Sequence, residues 1–93
     1  MNNNNTISIN YSDEKLRVLV EEYITQQRDT FTLKGVCSYI LYWAMEDGNA
    51  NGVYEGYQMI DADSDRVRHI LELIVKEGRV LVMADGGYKK LSD

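Results

Sequence analysis

At 93 residues the chain has room for one domain with a single modest core, and not for two. A hydrophobic fraction of 44% and a charged fraction of 27% are those of a folded globular protein and exclude a disordered one. The net charge of −5 argues against a generally basic nucleic-acid binder, and the lone Cys37 excludes an internal disulfide framework and suits a reducing compartment.

Residues 1–5 are a polar leader, read as disordered, with neither the basic residues nor the apolar run of a signal peptide. The domain is expected over 6–93. From Thr6 to Tyr11 apolar Ile7, Ile9 and Tyr11 alternate with polar Ser8 and Asn10, which predicts a short strand at a sheet edge or an arm for another chain. Ser12 then stands as a helix N-cap before Asp13 and Glu14, and Leu16, Leu19, Val20, Tyr23 and Gln27 follow at helical spacing. A first helix is predicted over 13–27, with Arg28 at its negative pole, and 29–32 is a short connection.

The central element is Leu33 to Asp47. Leu33, Val36, Cys37, Ile40, Leu41 and Ala44 fall on one stripe at 3.6 residues per turn. Tyr39, Tyr42, Trp43 and Met45 carry apolar surface most of the way round, leaving Lys34, Gly35, Ser38 and Glu46 for water. Such a helix needs cover on more than one side, from another segment or from a second chain. Its longest strongly apolar run, 39–45, is too short to span a bilayer, so no membrane is expected and the chain is placed in the cytoplasm.

Gly48 ends this helix as a left-handed cap. Residues 48–60 hold three glycines along with Val53, Tyr54, Tyr57, Met59 and Ile60, and read as a flap over the central helix. Asp61, Asp63 and Asp65 form a capping cluster. A third helix follows, with Val67, Ile70, Leu71 and Ile74 as its core stripe, Asp65, His69, Glu72 and Lys76 outward, and Arg66 and Arg68 on its flanks. After Gly78, the segments 79–83 and 88–91 flank Ala-Asp-Gly-Gly and predict a β-hairpin. The fold class is therefore α+β, mostly α, with a three-helix core and a C-terminal hairpin.

Three helices followed directly by a hairpin resemble the winged helix-turn-helix domain, and the stretch RVRHILELIVKEGRVLVMADGGYKKL resembles that family's recognition helix and wing. The resemblance spans 13–91 and rests on generic motifs. It implies a small DNA-binding protein, a regulator or accessory factor acting as a dimer, with the third helix in the major groove. By position, Asp65, Arg66, Arg68 and His69 would face bases and backbone, and Lys89 and Lys90 on the wing would face phosphates. With Lys76, these bases belong to a C-terminal region, 66–90, whose balance is +3, against −4 for residues 13–60. Each phosphate contact would add to the salt dependence of binding.

The net acidity, the long flap and the aromatic residues support a second reading, a protein-interaction module such as a complex subunit or a mobile-element or phage protein acting on a host factor. Its interface would hold Tyr39, Tyr42, Trp43, Tyr54 and Tyr57, since tyrosine and tryptophan join large apolar area to a polar handle. Tyr42, opposite the core stripe, is the residue least easily covered from within. Catalysis is not expected, because one histidine on an outward face and one cysteine on a core stripe build no nucleophile or zinc site. Asp61, Asp63, Asp65 and Glu72 imitate a calcium loop, but Arg66 stands where its glycine should be. No metal or cofactor is expected.

Overall fold

The computed structural model describes residues 6–52 and 58–91. The polar leader, Tyr54 and Tyr57 lie outside these residues. In chain order the described elements are β1 (Thr6–Ile9), α1 (Asp13–Gln26), β2 (Thr30–Phe31), α2 (Leu33–Glu46), β3 (Ala50–Gly52), β4 (Gln58–Met59), α3 (Asp61–Lys76), β5 (Val80–Val82) and β6 (Tyr88–Lys90). The fold is α+β and mostly α: three helices packed pairwise, closed at the C-terminus by a hairpin.

The helix boundaries follow from local chemistry. The Ser12 hydroxyl accepts from the Lys15 amide at 3.1 Å and the Thr32 hydroxyl accepts from the Gly35 amide at 3.0 Å, each satisfying an orphan donor of a first turn. Gly48 and Gly78 take φ of 74° and 82°, so the chain reverses and the Asn49 amide reaches back to the Ala44 carbonyl at 2.7 Å. Most of the expected stripe positions are buried, with Tyr23, Gln27 and Leu33 only half-covered and Ile24 buried in addition. Leu16, Leu19 and Val20 of α1 meet Val36, Ile40, Leu41 and Ala44 of α2 and Val67, Ile70, Leu71 and Ile74 of α3 in one core. Each such aliphatic side chain contributes about 1.5–3 kcal/mol when fully buried.

Five expectations need correcting. The N-terminal strand is neither an edge nor an arm for another chain: β1 is the middle of a described three-stranded sheet in the order β3-β1-β4. It runs antiparallel to β3, with Ile9 opposite Ala50, and parallel to β4, with Ile7 opposite Met59. Those four residues are buried, and all three strands pack against α2, so β3 and β4 cover that helix as parts of a sheet. Second, α3 begins at Asp61, so Asp61 and Asp63 lie in its first turn and Asp65 just beyond it, rather than forming a cap before the helix; Ile60 is the N-cap and supplies no side-chain hydrogen bond.

Third, the 29–32 connection contains β2, which pairs with β6 and extends the hairpin to a second sheet in the order β2-β6-β5. Fourth, the negative pole of α1 is met from across the fold rather than by its neighbour Arg28. The Lys90 ammonium donates to the Thr25 and Gln27 carbonyls at 3.4 and 3.3 Å. Gly35 is also not a water-facing position. It is half-buried beneath the Tyr23 hydroxyl, and a β-carbon there would collide with that oxygen.

Candidate interaction surfaces

The residues expected to meet nucleic acid have different fates. Arg66 is committed inside the fold: its Nη2 donates to the Tyr11 carbonyl at 2.7 Å and to Asp13 Oδ1 at 2.9 Å, and its Nη1 donates to Asp63 Oδ1 at 3.1 Å. Asp63 is buried, and its other oxygen accepts the Ile9 amide at 3.0 Å. One guanidinium and one carboxylate thus join β1, the start of α1 and α3. Because donor and acceptor are both charged in the Arg66–Asp63 and Arg66–Asp13 contacts, these are stronger than neutral hydrogen bonds. Turning Arg66 outward to a phosphate would leave Asp63 as an uncompensated buried charge.

Arg68 is half-exposed and held by Asp65 one turn back at 2.5 Å. His69 lies open to solvent with Nδ1 3.8 Å from Glu72. Lys76 and Lys89 are exposed, whereas Lys90 is tied to α1 as described. The outward face of α3 thus presents Asp61, Asp65 and Glu72 beside Arg68, His69 and Lys76, a mixed surface with no excess of positive charge.

A second ionic cluster had no signal in the sequence, because its partners lie 58 to 60 residues apart. Arg17 Nη2 bridges both Glu77 oxygens at 2.7 and 2.8 Å, and Arg79 Nη2 reaches Glu21 at 2.7 Å. These pairs join α1 to the end of α3 and the start of β5. The hydrogen bond from Arg79, opposed by partial burial, holds the Glu21 carboxyl below its ordinary range.

The aromatic residues behave differently from the cations. A continuous row runs from the core to the surface. Tyr88 stacks on Phe31 at 5.4 Å, Phe31 meets Tyr23 edge-on at 6.0 Å, and Tyr23 meets Tyr39 at 5.4 Å. Tyr39 then meets Trp43 at 6.5 Å, and Trp43 meets Tyr42 at 5.2 Å with the rings nearly perpendicular. The inner end is buried, with Phe31 and Tyr88 only 5% and 7% exposed, while Trp43 is 39% and Tyr42 53% exposed. The Tyr39 hydroxyl accepts from Gln26 Nε2 at 3.2 Å and donates to Glu22 at 3.3 Å, which fixes the ring where the row emerges. Sequence reasoning named Tyr39, Tyr42 and Trp43 but missed Tyr23, Phe31 and Tyr88. Their link depends on β2 and β6 being paired, which no local pattern reveals.

Cys37 is buried, its thiol pushed up by burial, with its sulfur 3.9 Å from the Ser64 hydroxyl. Among the described residues no three His, Cys, Asp or Glu side chains come together as a metal-binding group, and no helix is long and apolar enough to cross a membrane. No family model, no curated protein and no solved structure matches the chain.

Proposed function

We propose that the chain is a protein-interaction module whose contact surface is the outer end of the aromatic row on α2. The observation that carries this reading is the pairing of exposure with order. Tyr42 and Trp43 stand in solvent, yet they continue a row anchored on buried Phe31 and Tyr88. Side chains already held in place lose little rotamer freedom on binding, so more of their contact energy appears as affinity. Large amphipathic rings of this kind are also enriched among the residues that dominate protein interfaces. The cations argue in the same direction, since Arg66 and Lys90 serve the fold and Arg68 is paired with Asp65. A complex subunit, or a mobile-element or phage protein acting on a host factor, fits this surface.

The decisive experiment captures partners with the intact chain, identifies them, and titrates the purified partner against wild type, Tyr42→Ala and Trp43→Ala. At least one substitution is expected to weaken binding by about thirtyfold, the scale of an interface hot spot, while circular dichroism stays unchanged. Equal affinity for all three proteins would remove the row as the contact surface. Membership of the winged-helix class, with DNA as the partner, is the second reading. It rests on the element order and on exposed Arg68, Lys76 and Lys89. It predicts binding to random duplex DNA that falls steeply with salt and is lost when these three become alanine. The first reading predicts no duplex binding even at low salt.

A further inference from the structure

Among the described residues, strand β5 ends its sheet with an unpaired edge. Leu91 donates to the Arg79 carbonyl and Met83 to the Gly87 carbonyl, so the ladder bonds to β6 are made by the Arg79 carbonyl, by Leu81 and by the Met83 amide. Val80 and Val82 consequently turn theirs away, and among the described residues no strand lies on that side. Leu81 and Val82 are 51% and 58% exposed although both carry apolar side chains. Protein edges are normally guarded by a lysine, a proline or a bulge. β5 has none of these: the chain has no proline, and Val80, Leu81 and Val82 are uncharged.

We infer that this edge pairs with the same edge of a second copy, antiparallel about a two-fold axis through Leu81. The sequence is the argument for that occupant: Val-Leu-Val reads identically in both directions. Centred on Leu81, each Val80 faces the partner copy's Val82, and the outward amides and carbonyls of the two strands meet as hydrogen-bonded pairs. The two Leu81 side chains then meet in the close, non-hydrogen-bonded position. Arg79 falls opposite a methionine, so no like charges oppose one another within the register. Lys89, beside Leu81 on the same face, lies three strand spacings from its counterpart. That is about 14 Å, beyond the screening length at physiological salt. The result is a six-stranded sheet running across both molecules.

Three residues a side bury far less than the roughly 1,200–2,000 Å² of a stable interface, so the dimer is weak and concentration-dependent. This edge shares no residue with the aromatic row, and the two tests read different variants. Sedimentation of the full chain up to about 1 mM, which reveals even millimolar association, is expected to show a reversible monomer–dimer equilibrium. Leu81→Lys and Leu81→Glu each place like charges at the axis and should weaken the dimer by about tenfold or more. An equimolar mixture of the two sets lysine against glutamate and should restore it. Leu81→Cys should form a disulfide-linked dimer on mild oxidation, whereas buried Cys37 should not. A wild type that stays monomeric at the highest concentration overturns the inference. So does a dimer indifferent to both charge variants. Should either charge variant fail to fold by circular dichroism, cross-linking at Leu81→Cys decides alone, and its absence under oxidation counts against the pairing.

Discussion

The two described sheets are the same size and are held in opposite ways. In β3-β1-β4 the middle strand comes from the N-terminus and finds its neighbours more than forty residues away, with pairings only two or three residues long. So few ladder bonds specify register weakly, and here side chains complete it: Asp63 takes the Ile9 amide, Arg66 takes the Tyr11 carbonyl, and the Tyr11 hydroxyl donates to Asp47 at 2.6 Å. In β2-β6-β5 the hairpin sets its own register through the 83–87 turn, where the Met83 amide bonds the Gly87 carbonyl at 2.8 Å, and it needs no such clasp. The non-local strand β1 is secured by side-chain hydrogen bonds, one of them to buried Asp63, at the cost of tolerance to mutation. A local hairpin is secured by its turn and leaves its outer edge available.

The comparison breaks most visibly at Asp63. Asp63→Ala leaves the Ile9 amide without its acceptor and frees Arg66 from its buried partner, and a loss of about 3 kcal/mol is expected in urea unfolding. Asp63→Asn keeps an acceptor and should lose less. The loss should be accompanied by faster hydrogen exchange at Ile7 and Ile9 than at Leu81 and Lys89. Equal exchange in both sheets would show that the clasp does not hold β1 in particular. Tyr11→Phe comes next, at about 1 kcal/mol, because it removes a hydrogen bond whose acceptor Asp47 can turn to water. Burial and then the Asp47 contact raise the Tyr11 phenol above its ordinary value of 10.0. A raised folded value means stability that is complete below pH 10.0 and is lost as pH climbs through the folded value. The alkaline loss should therefore be shallower in Tyr11→Phe than in wild type.

The same contrast governs what could be read in advance. The helices were legible because their stripes repeat at 3.6 residues and end on Gly48 and Gly78. The hairpin was legible because its turn residues are local. The exposure of Tyr42 followed from its place opposite the core stripe. β2, β3 and β4 were not legible, since two or three residues carry no period and their pairing partners lie far along the chain. Asp63 was within reach: it stands four residues before Val67 and continues the Val67, Ile70/Leu71, Ile74 stripe, so its burial was written in the spacing. Reading it with Asp61 and Asp65 as one acidic cluster hid that, and also hid the reason Arg66 sits one turn later. An aromatic row assembled across α1, β2, α2 and β6 has no linear signature at all.

A smaller effect tests the ionic cluster that joins α1 to the root of the hairpin. The folded carboxyl of Glu21 lies below its ordinary value of 4.5, chiefly through Arg79. A depressed value means stability present above pH 4.5 and lost as pH falls through the folded value. Between about pH 5 and pH 3 the stability of Arg79→Ala should therefore fall less steeply than that of wild type. The difference should be a fraction of a kcal/mol, because both side chains are partly in solvent. Parallel acid profiles for the two proteins would mean that Arg79 does not tune this carboxylate.

The smallest effect on stability is expected at the open edge itself. Leu81 is half-exposed, its backbone already bonds β6, and its side chain supports no core contact comparable to that of Ile7, which is fully buried. Leu81→Lys should therefore change monomer stability by no more than about 0.5 kcal/mol, the range of ordinary surface substitutions. Ile7→Ala, at a fully buried position in the middle strand of the other sheet, should cost about 2–5 kcal/mol by opening a cavity in the core. Dilute samples, which favour a monomer over any dimer, are the place to measure both. A large loss from Leu81→Lys there would mean that β5 is secured through its exposed side chains and not through its turn, and the distinction between the two sheets would fail.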